Sequence, residues 1–148
     1  MKKKGGQRKE VYDPTDSIIY VKKEEGVTKC VKISGINMCF GIMIKHYDGF
    51  SIDEICAGHF NEPEYYNGNT NSLTKTGFEF LTDFIPIIKK WTRDSYDITI
   101  YHGKKTKDVL HNSDEQIQEI LRGFFKNFGN PRFILLSSEN TVVPPVCI

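Results

Sequence analysis

Cys39 and His59 are the two residues of this chain whose types and settings point most directly to chemistry. Cys39 stands in an apolar run over 30–45, and His59 stands in a second apolar run over 55–60. A histidine beside a cysteine lowers the pKa of the thiol from about 8.5, so that the thiolate can act as a nucleophile near neutral pH. The alternative is that both residues fill core positions, because free cysteine is among the most buried residue types.

Two strands joined by a tight turn would bring these residues together. The runs over 38–45 and 52–60 have the composition of buried strands, and the Asp-Gly pair at 48–49 is a turn signal. Cys39 lies nine residues before this turn and His59 ten residues after it. A hairpin therefore places both residues at its open end, with a register uncertainty of about one residue.

A polar turn leads into the strand of Cys39. Gly35 and Asn37 favour a tight backbone turn just before the apolar run. Backbone N–H groups exposed in such a turn can bind the negatively charged oxygen that forms when a thiolate attacks a carbonyl carbon. Gly35, Asn37 and Met38 are therefore candidates for an oxyanion hole beside the Cys39 sulfur.

The sequence contains no metal-binding or cofactor-binding motif with the residue spacing that such a site needs. Cys56 and His59 are separated by two residues, as zinc ligands often are. However, an odd separation in a strand places the two side chains on opposite faces, and no second close pair of ligands follows. The basic turn over 101–107 lacks the glycine spacing of a phosphate-binding loop. We therefore expect neither a metal nor a cofactor.

Composition limits the class of protein. The chain has 148 residues, a formal net charge of +1, 39% hydrophobic residues and 26% charged residues. So small a net charge gives no general attraction to nucleic acid. Apolar runs also stay well short of the roughly 20 residues that span a bilayer. We expect a soluble monomer with neither a nucleic acid nor a membrane as its partner.

The N-terminal segment is polar and basic, and the apolar segment of a secretory signal does not follow it. We interpret residues 1–16 as a flexible basic tail and residues 17–148 as one domain. Without a signal peptide, the four cysteines are expected to be reduced, as in an intracellular protein. An effector that is exported by a dedicated secretion machine would have the same features.

Hydrophobic periodicity predicts several strands and two main helices. Apolar runs indicate strands over 17–23, 26–34, 38–45, 52–60, 96–102 and 132–138. Helical spacing indicates a helix over 78–91, kinked or split at Pro86, and a helix over 112–129 with Ser113 and Gln116 as its capping box. Residues 61–71 read as a polar loop, and the C-terminal residues as a tail over the core. This order of elements favours an α+β fold, a layered α/β sandwich with a mixed β-sheet core and two main helices.

The order of these motifs resembles the chemoreceptor glutamine deamidases of the CheD family. In that family a glycine-containing turn leads to a catalytic cysteine on a strand, a Tyr-Asp turn follows, and the next strand ends in Ala-His-Phe with the catalytic histidine. This chain has SGINMCFGIMIKHYDGFSIDEICAGHF over 34–60. The cytotoxic necrotizing factors (CNF) and lethal-factor-type toxins share the catalytic fold, and ISG over 33–35 is similar to their Leu-Ser-Gly motif. The resemblance covers roughly residues 26–140.

The resemblance implies a cofactor-free hydrolase that converts a glutamine side chain of a partner protein to glutamate, with Cys39 as nucleophile and His59 as acid and base. The threonine that the family places before its cysteine aligns near Ile33, so Ser34 is the candidate third group, with Thr28 or a backbone carbonyl as alternatives. These departures favour a divergent bacterial toxin or effector, located in the bacterial cytoplasm or secreted into a host cell. A non-catalytic protein-binding module, a transglutaminase and a cysteine protease stay open as alternatives.

Overall fold

Ten strands and four helical segments are distributed over the part of the chain that the structure describes. The computed structural model describes residues 8–15, 17–36, 39–103, 113–136 and 142–148. In chain order the elements are β1 (Arg8–Tyr12), β2 (Ile19–Lys22), β3 (Val27–Ile33), β4 (Phe40–Asp48), β5 (Ser51–Phe60), α1 (Glu62–Tyr65), β6 (Tyr66–Asn67), β7 (Ser72–Leu73), α2 (Lys75–Thr82), α3 (Ile85–Ile88), β8 (Tyr96–His102), α4 (Ser113–Phe125), β9 (Arg132–Leu135) and β10 (Val143–Cys147). The predicted α+β class is confirmed.

A five-stranded mixed sheet forms the middle of the molecule. Its strand order is β2–β5–β4–β8–β9, and a smaller sheet has the order β1–β3–β10. In the large sheet β8 and β9 run parallel, while the other neighbours run antiparallel. Successive side chains of a strand point to opposite faces of the sheet. The side chains of β4 are buried on both faces over its first five residues, so this strand is a continuous apolar run.

The two faces of the large sheet are covered by different layers. Helices α2, α3 and α4 cover one face, in a core that includes Phe40, Phe60, Phe84, Leu121 and Phe125. The small sheet covers the other face, in a core that includes Ile33, Ile36, Met43, Ala57 and Val143. The fold is therefore a three-layer sandwich of helices, large sheet and small sheet.

The β4–β5 hairpin carries both chemistry candidates, and its turn lies one residue later than predicted. Asp48 pairs with Ser51, so Gly49 and Phe50 form the two-residue loop. Gly49 has φ of 66°, the left-handed conformation that a tight hairpin turn requires and that glycine adopts without steric cost.

A β-bulge sets the register between this turn and the open end of the hairpin. His46 pairs with Glu54, but the next residue, Tyr47, pairs with Ile52, so Asp53 is the extra residue of the bulge. A shift of one residue exchanges the two faces of a strand. The bulge therefore decides which residues of β5 face the small sheet along the rest of the hairpin.

The small sheet corrects two sequence predictions. The predicted flexible tail includes residues 8–12, but these form β1 and pair in parallel with β3. The C-terminal residues were expected to be a tail over the core, but residues 143–147 form β10, which is antiparallel to β3. Residues 1–7 lie outside the described part of the chain. A domain that begins at residue 17 would therefore leave out one of its own strands.

A disulfide corrects the prediction that the cysteines are reduced. Cys30 and Cys147 occupy paired positions on β3 and β10, and their sulfur atoms are 2.04 Å apart. The bond closes the chain over a separation of 117 residues. Cys39 and Cys56 are the free cysteines.

The predicted split at Pro86 is confirmed, because α2 ends before it and α3 is a separate turn that contains it. Thr74 caps α2 by accepting a hydrogen bond from the backbone N–H of Gly77. The predicted loop over 61–71 is partly structured, since α1 and β6 lie within it. The side chain of Ser113, the expected cap of α4, lies outside the described residues. Among the helices that are described, none has the length and apolar character to cross a bilayer.

Gly77 provides a first test of the packing of α2 on α1. A Cβ atom at this position would lie 2.2 Å from the carbonyl oxygen of Tyr65, and a backbone atom cannot turn away. We expect Gly77→Ala to lower the free energy of unfolding by about 1–3 kcal/mol, measured by urea denaturation. The matched control is Gly123→Ala in α4, where a Cβ atom meets nothing within 4 Å. This control should raise stability by about 0.5–1 kcal/mol, and equal effects at both sites would contradict the packing.

Candidate active site

The start of β4 and the end of β5 lie side by side at the open end of the hairpin. Phe40 pairs with Phe60, and Gly41 pairs with His59. Cys39 directly precedes β4, and its carbonyl oxygen accepts a hydrogen bond from the N–H of Gly103 at 3.3 Å. This bond continues the register of β4 with β8 by one further pair, so the backbone of Cys39 still follows the sheet.

Cys39 and His59 lie on the same face of the large sheet. Gly41, the partner of His59, faces the small sheet, because a Cβ atom on it would meet Ile36 at 2.5 Å and Val143 at 3.4 Å. Cys39 is two residues from Gly41 and therefore shares this face. Diagonal neighbours of this kind have backbones roughly 7–8 Å apart, a distance that a cysteine and an imidazole side chain can bridge. The predicted pairing at the open end of the hairpin agrees with this arrangement.

His59 is in a setting that suits a general base. The side chain is partly buried, and its Nε2 atom is buried without a hydrogen-bond partner among the described residues. Burial lowers the pKa of His59, and the negative charge of Asp13 opposes this effect. The imidazole is therefore mostly neutral at neutral pH and can accept a proton.

Asp13 is a functional candidate that the sequence prediction missed. It directly follows β1, and its Oδ1 atom accepts a hydrogen bond from the backbone N–H of Ser34 at 3.1 Å. The parallel pairing of β1 with β3 brings Asp13 to the end of β3, where Ser34 and Gly35 lie. An acidic group thus stands on the side of His59 that the small sheet covers.

The segment of Ser34 and Gly35 packs beside the imidazole. Gly35 has φ of 72°, and a Cβ atom on it would be 3.8 Å from Cε1 of His59. Ser34 is the predicted third group, and the contact that places it is its backbone N–H to Asp13. Thr28 lies near the start of β3, roughly 20 Å along the strand from Ser34, so it is too far away to orient His59. Asn37 and Met38, the other oxyanion candidates, lie outside the described residues.

Two further groups near the hairpin belong to the opposite face. Cys56 is part of the core beneath the helices, where burial raises the pKa of its thiol, so it cannot share a metal ion with His59. His102 stacks on Phe40 with ring centroids 4.4 Å apart, and its Nε2 atom lies 3.3 Å from Oδ2 of Asp114. This pair ties the first turn of α4 to the sheet.

Comparison of the chain with models of protein families and with curated protein sequences finds no match.

Proposed function

We propose that this protein is a protein-glutamine deamidase, with Cys39 as the nucleophile and His59 as the acid and base. The proposal rests on one observation above all: the register of the β4–β5 hairpin puts both residues on one face, at an open end of the sheet. The resemblance of the motif order to that of the CheD and CNF deamidases supports the same reaction.

The first half of the reaction forms a thioester. His59 takes the proton of the Cys39 thiol while the sulfur attacks the carboxamide carbon of a glutamine side chain. Within the described residues, the backbone N–H groups of Gly35 and Cys39 are the candidates for stabilising the oxyanion. The C–N bond then breaks, and His59 gives its proton to the departing nitrogen, so ammonia leaves and an acyl-enzyme remains.

The second half restores the enzyme. His59 takes a proton from a water molecule as the water oxygen attacks the thioester carbon, the C–S bond breaks, and the proton returns to the sulfur. The product is glutamate, so the partner protein gains one negative charge. Each step uses groups of this chain and water, without a cofactor. If a primary amine replaces the water, the same acyl-enzyme gives transglutamination instead.

Asp13 is the group that we assign to hold His59 in place, ahead of Ser34. Its carboxylate is fixed by the Ser34 N–H, and its charge favours the protonated imidazole that forms when Cys39 loses its proton. Ser34 then contributes through its backbone. This arrangement is a Cys–His–Asp triad assembled from three different strand ends.

The disulfide bears on where the protein works. Disulfides persist in oxidising surroundings and are rare in a reducing cytoplasm. The bond between Cys30 and Cys147 therefore favours the secreted effector over a resident of the bacterial cytoplasm.

Alkylation of Cys39 at different pH values tests the proposed site without a known substrate. We expect iodoacetamide to react with Cys39 at pH values well below the usual thiol pKa of about 8.5, because His59 accepts the proton. Asp13→Asn removes the charge that supports the imidazolium, so the reaction at pH 7 should slow by about 3–10-fold and the midpoint should move to higher pH. Peptide mass spectrometry identifies the alkylated cysteine.

Two controls make this test decisive. Cys56 is buried and should stay unmodified, which shows that the protein is folded. Glu10→Gln changes an acid within β1, three residues before Asp13, and should leave the rate at Cys39 unchanged. An unreactive Cys39 would favour the non-catalytic binding module, while a reactive Cys39 that ignores Asp13→Asn would remove Asp13 from the triad.

A further inference from the structure

A second cluster of polar side chains lies at the other end of the same hairpin. His46, Asp53 and Glu54 each offer one potential ligand atom, and these atoms lie within 4.8 Å of one another. Nδ1 of His46 is 2.6 Å from Oδ1 of Asp53 and 3.4 Å from Oε2 of Glu54. All three side chains are partly buried, at 16%, 30% and 15% exposure.

The bulge explains why two consecutive acids reach one imidazole. In a regular strand, neighbours such as Asp53 and Glu54 point to opposite faces. Asp53 is the extra residue of the bulge, so this alternation is interrupted there. Both carboxylates consequently lie on the side of His46, which is paired with Glu54 on the neighbouring strand.

Among the described residues, no lysine or arginine balances the charge of this cluster. Within the described ranges, neither Asp53 nor Glu54 forms an ion pair with such a residue, and the imidazole of His46 is the basic group that both contact. Glu54 is held by neutral donors, the hydroxyl of Tyr20 and the indole N–H of Trp91. At most one positive charge therefore faces two negative charges in a partly buried place, which favours a bound cation.

We propose that His46, Asp53 and Glu54 bind a divalent transition-metal ion, with zinc as the best fit. One imidazole nitrogen and two carboxylate oxygens are zinc ligands, with bonds of about 2.0–2.2 Å and ligand atoms roughly 3.4 Å apart in a tetrahedron. The distance between Nδ1 of His46 and Oε2 of Glu54 already has this value. A small rotation of the Asp53 side chain would lengthen the 2.6 Å distance between Nδ1 of His46 and Oδ1 of Asp53 to match it. Asp53 is the most exposed of the three, so a water molecule can complete the site.

The surroundings match those of a metal site. The donors that hold Glu54 fix the direction of its carboxylate, as outer contacts of metal ligands do. Its Oε2 atom has two lone pairs, one for the indole of Trp91 and one for the metal. The ring of Trp91 also stacks on His46, with centroids 5.0 Å apart. The metal would clamp the bulge, and so the register of β4 and β5, from the turn end of the hairpin.

Trp91 makes the proposal directly testable, because it is the single tryptophan of the chain. We expect titration of the chelator-treated protein with Zn²⁺ to change the tryptophan emission in a saturable way with one ion per chain. At a hundredfold excess over Kd, the thermal midpoint should rise by about 5–10 °C. Co²⁺ should compete with Zn²⁺ and quench the emission.

Variants separate this site from others. His46→Gln and Asp53→Asn should each weaken Zn²⁺ binding by at least tenfold. If His46→Gln does not fold, Asp53→Asn still tests the site. Two control variants should bind Zn²⁺ as the wild type does. They are Asp48→Asn, which changes an exposed acid of β4, and Cys39→Ser, which changes the opposite end of the hairpin. Tryptophan emission and a thermal midpoint that do not respond to Zn²⁺, Co²⁺ or Mn²⁺ would overturn the proposal and leave the three side chains as a hydrogen-bonded cluster. Binding that survives both site variants would also overturn it.

Discussion

A lysate incubated with the wild-type protein should contain a peptide in which one glutamine has become glutamate. The proposed reaction replaces a side-chain amide by a carboxylate, and both the mass change and the new negative charge are visible by peptide mass spectrometry. Host-cell and bacterial lysates should be compared, since the secreted-effector proposal places the substrate in the former. The modified sequence identifies the partner protein together with the activity.

The controls for this experiment are variants with one substituted side chain each. Cys39→Ser replaces the sulfur by a weaker nucleophile and should reduce deamidation by at least about a thousandfold, and His59→Gln should do the same because the base is lost. Cys56→Ser changes the other free cysteine, which is buried on the opposite face, and should keep the activity if the variant folds. Equal modification by wild type and Cys39→Ser would assign the deamidation to another source and remove the proposed function.

The parts of the fold that the sequence predicts are those governed by local patterns. The strand over 96–102 was predicted with the bounds of β8, because its apolar residues alternate and turn residues flank it. The split at Pro86 follows from the ring of proline, which cannot continue a helix. The proximity of Cys39 to His59 also follows from local information, since a two-residue turn between two apolar runs leaves few possible registers.

The parts that were missed depend on distant partners. β1 is short, polar and exposed along much of its length, and only its parallel pairing with β3 makes it a strand. Asp13 was overlooked for this reason: nothing local shows that an acid at the end of a polar segment reaches Ser34. The signal that was available is the pair of strand-favouring residues Val11 and Tyr12, followed by Asp-Pro. Parallel strands are separated by long connections in the sequence, so such a signal does not show which strand is the pairing partner.

The bulge is a similar case with a larger consequence. Counted from the predicted turn, Cys39 is nine residues away on one strand and His59 is ten residues away on the other. The composition of the strands does not show where an extra residue is inserted. In the structure it is inserted at Asp53, where His46 holds the carboxylate. The face on which His59 lies is thus decided about twenty ångströms away, by a contact at the other end of the strand.

Loss of the disulfide between Cys30 and Cys147 should have the largest effect on stability. The bond links strands that are 117 residues apart in sequence, so its removal frees a long loop in the unfolded chain. We expect the free energy of unfolding to fall by about 2–5 kcal/mol when the protein is reduced. The midpoint of guanidinium unfolding, with and without reductant, measures this difference. Thiol titration of the unreduced, denatured protein should find two free thiols, those of Cys39 and Cys56.

A double variant and a single variant show whether the disulfide is responsible. Cys30→Ala with Cys147→Ala should have the low midpoint of the reduced protein and should not respond to reductant, while Cys56→Ala should still respond. Loosening β10 also moves Val143, which lies against Gly41 beneath the pair of Cys39 and His59. The double variant should therefore alkylate at Cys39 with a changed rate as well. Four free thiols and a midpoint indifferent to reductant would show instead that the cysteines are reduced, as the sequence alone suggested.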